Sequence, residues 1–176
     1  MEKIIELKKP VSKGISFVGL SLLGCSLISL CSLIKIPFYP VPFTMQTFAI
    51  FFLALTQSPK HALGSSLAYL LLGTLKAPVF AGHANSLWIL GTCGGYLVSF
   101  PIAAYLTSKI KEKTSPMLAL LAGQAAVYLL GYAWLVTFFG ANVAFTKGIL
   151  FFIPSDLLKC LMALLMATFF HKGRNK

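Results

Sequence analysis

The chain has 176 residues, of which 57% are hydrophobic and only 11% are charged, with a formal net charge of +11. A soluble globular domain has about 25% charged residues, so this composition excludes an ordinary soluble domain and indicates an integral membrane protein. The basic residues lie at the ends of apolar runs, without a basic face of base-stacking aromatics, which argues against nucleic-acid binding and in favour of cytoplasmic membrane flanks.

The apolar runs predict the order of elements along the chain. A hydrocarbon layer about 30 Å thick needs about 20 helical residues, or somewhat fewer for short spans. Residues 1–13 are polar for too long to form a usual signal peptide, so we interpret them as a cytoplasmic N-terminal segment. A single membrane domain at 14–170 and a basic cytoplasmic tail at 171–176 follow. The six predicted spans cover about 14–34, 43–57, 61–75, 89–108, 116–139 and 148–170, the last being broken by Pro154.

Charge distribution predicts how these spans are oriented. With six helices, both termini and the links between helices two and three and between four and five share one side of the membrane. That side holds eleven lysine and arginine residues, against Lys35, Lys76 and Lys147 on the other side. The positive-inside rule therefore predicts an all-α membrane protein with both termini in the cytoplasm.

Two links on the predicted external side, 35–43 and 76–88, are long, apolar and aromatic. Their prolines block regular helix. External segments this apolar are expected to fold back onto the helices and form a lid. The alternative is that their aromatic side chains rest at the level of the lipid headgroups.

The stretch FFIPSDLLKC, residues 151–160, places Asp156 and Lys159 in apolar surroundings. A charge inside a bilayer costs at least a few kcal/mol, so it usually faces the protein interior and has a partner. The spacing of three residues puts both side chains on one helix face, and Pro154 fits the first turn of that helix. A structural salt bridge and a proton relay remain open as alternatives to ligand binding.

The predicted sixth helix runs from outside to inside, which puts the charged pair in its outer half, beneath the external segments. Apolar walls with a few directional polar groups are typical of a small-molecule site, here for a compact ligand with N–H and C=O groups. The expected ligand contacts are Asp156, Lys159, Asn85, Gln46, Phe43, Trp88 and Tyr128. For Gln46 a helix–helix hydrogen bond is equally open, and we interpret Tyr69 and Gln124 as packing residues.

Small residues in the helices indicate packing, and common catalytic motifs are missing from the sequence. Ser21, Cys25 and Ser29 form a stripe of small residues in the first helix, which either docks a partner or packs within the chain. The four cysteines form no CxxC motif and are interpreted as small packing residues. No phosphate-binding loop, HExxH or GxSxG motif occurs, so we predict neither an enzyme nor an ATPase.

Four segments together resemble one family. PVPFTMQTFAIFFLAL, YLLLGTLKAPVFAG, GGYLVSFPIAA and FIPSDLLK occur in this order from about Pro37 to Lys159. They are similar to the BioY family, the biotin-binding membrane subunits (S components) of energy-coupling factor (ECF) transporters. The usual GPTGGYL of that family appears here as GTCGGYL, so Thr92 and Cys93 depart from it, and Ser155 replaces the usual glycine before the acid.

The resemblance implies a six-helix S component that binds biotin near the external face, in a bacterial plasma membrane and without a cofactor. It implies an ECF coupling subunit and two ABC ATPases as partners, and ligand contacts at Asp156, Lys159 and Asn85. Lys35 and Lys76 are candidates for the biotin carboxylate. Two other functions stay open, a solitary transporter or facilitator of another small vitamin-like substrate and a membrane assembly protein without transport.

Overall fold

The computed structural model of the protein describes residues 17–80 and 87–174. The predicted N-terminal segment 1–13 therefore lies outside the described residues. The described part is built from α-helices, so the predicted all-α fold is confirmed. The helices are α1 (Phe17–Leu33), α2 (Gln46–Thr56), α3 (Pro59–Thr74), α4 (Gly94–Lys111), α5 (Pro116–Phe145) and α6 (Ile153–Arg174).

Local sequence signals explain where several helices begin and end. Pro59 and Pro116 occupy the first turns of α3 and α5, where the missing N–H of proline costs nothing. Ser115 caps α5 by accepting a hydrogen bond from the backbone N–H of Leu118 at 3.3 Å. Gly140 interrupts α5 with φ 76° and ψ 166°, a conformation that glycine adopts without steric cost. One π-helical turn, Thr146–Leu150, then leads into α6, which begins at Ile153, so that Pro154 lies in its first turn as the sequence predicts.

The helices pack around α4, which contacts α5, α3 and α2, while α1 packs on α3 and α2 packs on α6. Glycine permits the closest of these approaches. A Cβ atom at Gly95 would lie 2.6 Å from the backbone oxygen of Leu130 and would also strike the Trp134 side chain. Gly95 thus lies at the crossing of α4 and α5.

The first long apolar segment, 35–43, forms a short hairpin with Thr44. Strand β1 (Lys35–Ile36) pairs antiparallel with β2 (Phe43–Thr44), so that Lys35 faces Thr44 and Ile36 faces Phe43. The Phe43 ring stacks on Phe152 of the α5–α6 connection, with ring centroids 4.2 Å apart. This segment therefore lies against the helices.

The described part of the second long apolar segment, 76–88, is also fixed to the helices. The carbonyl oxygen of Val79 accepts hydrogen bonds from Ser32 Oγ at 2.6 Å and from the Tyr69 hydroxyl at 3.1 Å. Phe80 is buried, and its ring lies edge-on to Tyr69, with centroids 5.3 Å apart. Through these contacts the end of α3 and the start of the segment are tied to α1.

The small-residue stripe of α1 is used for packing within the chain. Ser21 and Cys25 are 6% and 1% exposed. A Cβ atom at Gly64 of α3 would lie 2.6 Å from Ser21 Oγ, so the two helices meet closely at this point. Ser29 is half-buried and donates to the carbonyl oxygen of Cys25 at 2.9 Å. Ser21 and Cys25 therefore offer no exposed surface to a partner. Of the two alternatives for the stripe, packing within the chain applies to these two residues.

The outer surface of the described helices is strongly apolar, with many large aliphatic and aromatic side chains exposed on α1, α5 and α6. Among the described residues, one helical run, Pro116–Gly173, is long and apolar enough to cross a membrane by length and composition. Phe17–Leu33 and Gln46–Thr56 are apolar but shorter. The 11-residue helix Gln46–Thr56 lies within the apolar run at 43–57.

Replacing Lys76 by glycine is expected to stabilise the fold by about 1 kcal/mol, because Lys76 holds the left-handed conformation that normally favours glycine. Lys76 has φ 66° just after α3, where the Ala77 N–H bonds the Leu72 carbonyl at 3.1 Å and closes the helix end. Thermal unfolding measures the change. Lys147→Gly is the control, since it places glycine inside a helical turn and should destabilise. Equal shifts in both variants would contradict the role of the left-handed backbone.

Candidate ligand-binding site

A cavity of about 310 Å³ lies between the helices, and described residues of segments 35–43 and 76–88 line part of its wall. This volume is at the lower end of the range for small-molecule pockets, about 300–1,000 Å³. Its walls are mostly apolar, with few polar groups. The lining residues are Val41, Pro42, Thr44, Gln46, Thr47, Phe80, Trp88, Gly91, Thr92, Cys93, Tyr96, Leu97, Phe100, Val127, Tyr128, Phe152, Asp156 and Lys159.

The charged pair of α6 forms part of the cavity wall. Asp156 lies in the first turn of α6, where the positive end of the helix dipole favours a carboxylate. Lys159 Nζ lies 2.8 Å from Asp156 Oδ1, and the two residues are only 7% and 3% exposed. The spacing of three residues therefore places both charges on one helix face, as the sequence predicts.

Two side chains of α5 complete the surroundings of the Asp156 carboxylate. Gln124 Nε2 and the Tyr128 hydroxyl each donate to Asp156 Oδ2 at 2.9 Å. With Lys159, the carboxylate accepts three hydrogen bonds from the protein itself. Hydrogen bonds to an ionised group are about twice as strong as neutral ones, so this set holds the carboxylate in one orientation.

The role of Gln124 was missed from the sequence, which suggested packing only. Gln124 and Tyr128 are four residues apart, so they share one face of α5. The signal in the sequence was a pair of polar residues at helical spacing within an apolar span, which indicates a shared polar partner. The Oε1 atom of Gln124 is buried and has no hydrogen-bond partner among the described residues.

Tyr128→Phe is expected to destabilise the protein by about 1.5–3 kcal/mol and to weaken ligand binding, because it removes one charged hydrogen bond from Asp156. Thermal unfolding and equilibrium binding report the two effects. Tyr132→Phe is the matched control, since Tyr132 is half-buried one turn later on α5. If both variants behave alike, the Tyr128 hydroxyl does not support the carboxylate.

Gln46 connects three parts of the fold in addition to lining the cavity. Its Nε2 atom donates to the Tyr69 hydroxyl, and its Oε1 atom accepts from Thr44 Oγ1 at 2.8 Å. Tyr69 in turn donates to the Val79 carbonyl oxygen at 3.1 Å. Gln46 thus makes a helix–helix hydrogen bond, and Tyr69 is a polar link as well as a packing residue.

The other expected contacts divide between the cavity wall and its support. Trp88 lines the cavity, and its Nε1 atom donates to Thr74 Oγ1 at 3.0 Å. Phe43 supports the wall from behind, because it stacks on Phe152, which lines the cavity. Asn85 lies outside the described residues.

Comparison with known proteins identifies the family of this chain. The BioY family model matches residues 7–176, nearly the whole chain. The chain belongs to the BioY family. BioY proteins are membrane transport proteins, not enzymes, and the described helical run 116–173 is consistent with that.

Curated BioY relatives cover most of the chain. The probable biotin transporter BioY of Pyrococcus horikoshii is 38% identical over 151 residues, which are 85% of this chain and 93% of the relative. The biotin transporter BioY of Thermotoga maritima is 33% identical over 149 residues, 81% of this chain and 88% of the relative. The crystal structure of the S-component for biotin from an ECF-type ABC transporter has the same fold, with a TM-score of 0.79, 23% identity and coverage of 93% and 95% of the two chains.

Proposed function

We propose that this chain captures biotin for uptake, as the substrate-binding membrane subunit of an ECF-type transporter. The observation that carries the proposal is the buried Asp156–Lys159 pair in the wall of a mostly apolar cavity that segments 35–43 and 76–88 partly line. BioY relatives are named biotin transporters, and the chain has the fold of an S-component for biotin.

The hydrogen-bonding capacity of the pair suits the ureido ring of biotin, which offers two N–H groups beside one C=O. A carboxylate has about four lone-pair sites, and protein donors to Asp156 occupy three of them. One site is left for a ligand N–H. Lys159 has three N–H donors and uses one on Asp156, so the others can serve the ligand carbonyl.

The remaining parts of biotin fit the rest of the cavity. The thiophane ring and valeryl chain suit the apolar wall formed by Val41, Leu97, Phe100, Val127 and Phe152. Lys35 faces Thr44, a lining residue, across the hairpin, and exposed Lys76 follows α3. These two lysines remain our candidates for the carboxylate, and Asn85 remains a candidate for the polar ring.

The membrane arrangement that we propose has six spans with both termini in the cytoplasm of a bacterial plasma membrane. The apolar outer surfaces of the described helices and the uneven distribution of lysine and arginine support it. A separate ECF coupling subunit and ABC ATPases would then supply the energy, because the chain carries no phosphate-binding loop.

Calorimetric titration of the detergent-purified protein with biotin tests the proposal. We expect saturable one-to-one binding of biotin and none of thiamine, a vitamin with a cationic ring. Cys93 lines the cavity, so bound biotin should also slow its alkylation by a maleimide. A folded protein that does not bind biotin rejects the proposal, and biotin uptake in cells without a coupling subunit would point to a solitary transporter instead.

A further inference from the structure

Most hydrogen-bond donors in the cavity wall are already engaged by protein acceptors. Each hydroxyl or indole hydrogen can be donated once, so these groups cannot also donate to a ligand. The engaged pairs are Thr44 to Gln46 Oε1, Trp88 to Thr74 Oγ1, Thr92 to the Pro40 carbonyl, Tyr96 to the Gly148 carbonyl and Tyr128 to Asp156 Oδ2.

The hydroxyl of Thr47 differs from those of these lining residues, because no protein acceptor engages it among the described residues. Thr47 lines the cavity, and its Oγ1 atom is buried without a hydrogen-bond partner among the described residues. A buried hydroxyl without a partner is unfavourable, because the desolvation of the group is not compensated. The hydroxyl hydrogen of Thr47 is therefore not committed to any acceptor among the described residues.

The position of Thr47 in α2 explains why its hydroxyl has no acceptor within that helix. Inside a helix, a threonine hydroxyl often donates to a carbonyl three or four residues earlier, as Thr56 does to Phe52 at 2.8 Å in the same helix. Thr47 is the second residue of α2, so the corresponding carbonyls belong to β2, outside the helix. Threonine in a helix uses two χ1 rotamers, and a change between them moves the hydroxyl around Cβ.

We propose that Thr47 is a specificity-determining residue that donates a hydrogen bond to an acceptor oxygen of the bound ligand. The inference rests on the proposed function, and it concerns the free hydroxyl in the wall that α2 contributes. Two groups of biotin have the required chemistry, the ring carbonyl and the carboxylate. In both cases Thr47 favours ligands with an acceptor at that point over isosteres that lack one.

Binding of biotin to Thr47→Val, which keeps the shape of the side chain, tests the inference. We expect affinity to fall about two- to tenfold if the acceptor is the neutral ring carbonyl, and more than tenfold if it is the carboxylate, because a hydrogen bond to a charged group is stronger. Thr47→Ser keeps the hydroxyl and should retain wild-type affinity. Thr107→Val is the matched control, because Thr107 Oγ1 is also buried without a partner among the described residues but does not line the cavity. Thr47→Ala replaces the valine variant if that variant does not fold.

Two analogues identify the acceptor and exclude a packing effect. If the ring carbonyl is the acceptor, the difference between wild type and Thr47→Val disappears with 2-iminobiotin, which at neutral pH carries a protonated imino group, a donor, in place of that oxygen. If the carboxylate is the acceptor, the difference disappears with an analogue whose chain ends in a methyl group. Equal affinity of both proteins for biotin, or a loss that persists with both analogues, overturns the inference. Wild-type protein that does not bind biotin rejects the proposed function instead.

Discussion

Asp156→Asn is expected to weaken biotin binding by more than tenfold. Asparagine keeps the shape of the side chain, but its amide nitrogen is a donor and would face the donors of Lys159, Gln124 or Tyr128. The site would lose the acceptor proposed for a ligand N–H, and a hydrogen bond to a charged group is worth about 1.5–3 kcal/mol. Calorimetry gives the affinity, and unchanged binding would remove Asp156 from the site.

The same substitution also affects stability, because it leaves Lys159 buried without its counter-charge. Removing one partner of a buried ion pair costs about 3–5 kcal/mol. Weak binding by Asp156→Asn could therefore reflect partial unfolding, as expected if the pair only fixes helix packing. A second variant has to separate the two roles.

The double variant Asp156→Leu/Lys159→Met separates them by replacing both charges with apolar side chains of similar size. Such replacements of a buried pair are often neutral or stabilising, so thermal unfolding should recover to near the wild-type temperature. Biotin binding should stay weak, because the acceptor of Asp156 and the donors of Lys159 are both gone. A double variant that binds biotin as tightly as the wild type would make the pair purely structural.

The charged pair could be predicted because its geometry is local. Spacing along one helix fixes which face Asp156 and Lys159 share, and apolar surroundings require that this face points inward. Helix order then brings Gln46, Trp88 and Tyr128 to the same cavity. These steps need only periodicity and the direction of each helix.

Contacts between helices were harder to predict. The bond from Gln124 to Asp156 joins residues 32 positions apart and depends on how α5 is rotated against α6. Periodicity alone does not determine that rotation. The stripe of Ser21 and Cys25 presents the same difficulty, since a face of small residues suits an internal neighbour as well as an external partner.

Lys111→Met is expected to lower the unfolding temperature by about 5–15 °C and to leave the biotin affinity of the folded protein unchanged. Lys111 is 1% exposed, and its Nζ atom donates to the carbonyls of Ala54, Leu55 and Gln57 at 2.7, 2.7 and 2.9 Å. Carbonyls at a helix C-terminus have no intrahelical donor, and the negative end of the helix dipole favours a cation there. Methionine fills the space but leaves these carbonyls without that donor.

Lys109→Met is the matched control, because Lys109 lies in the same last turn of α4 but is exposed. It removes one positive charge from the same end of the protein and should shift the unfolding temperature little. Biotin affinity should be insensitive to both variants, since Lys111 binds the C-terminal end of α2 and the cavity lies at its N-terminal end, beside Gln46 and Thr47. Equal destabilisation by both variants would assign the effect to net charge. Weaker biotin binding by folded Lys111→Met would mean that α2 transmits changes between its two ends.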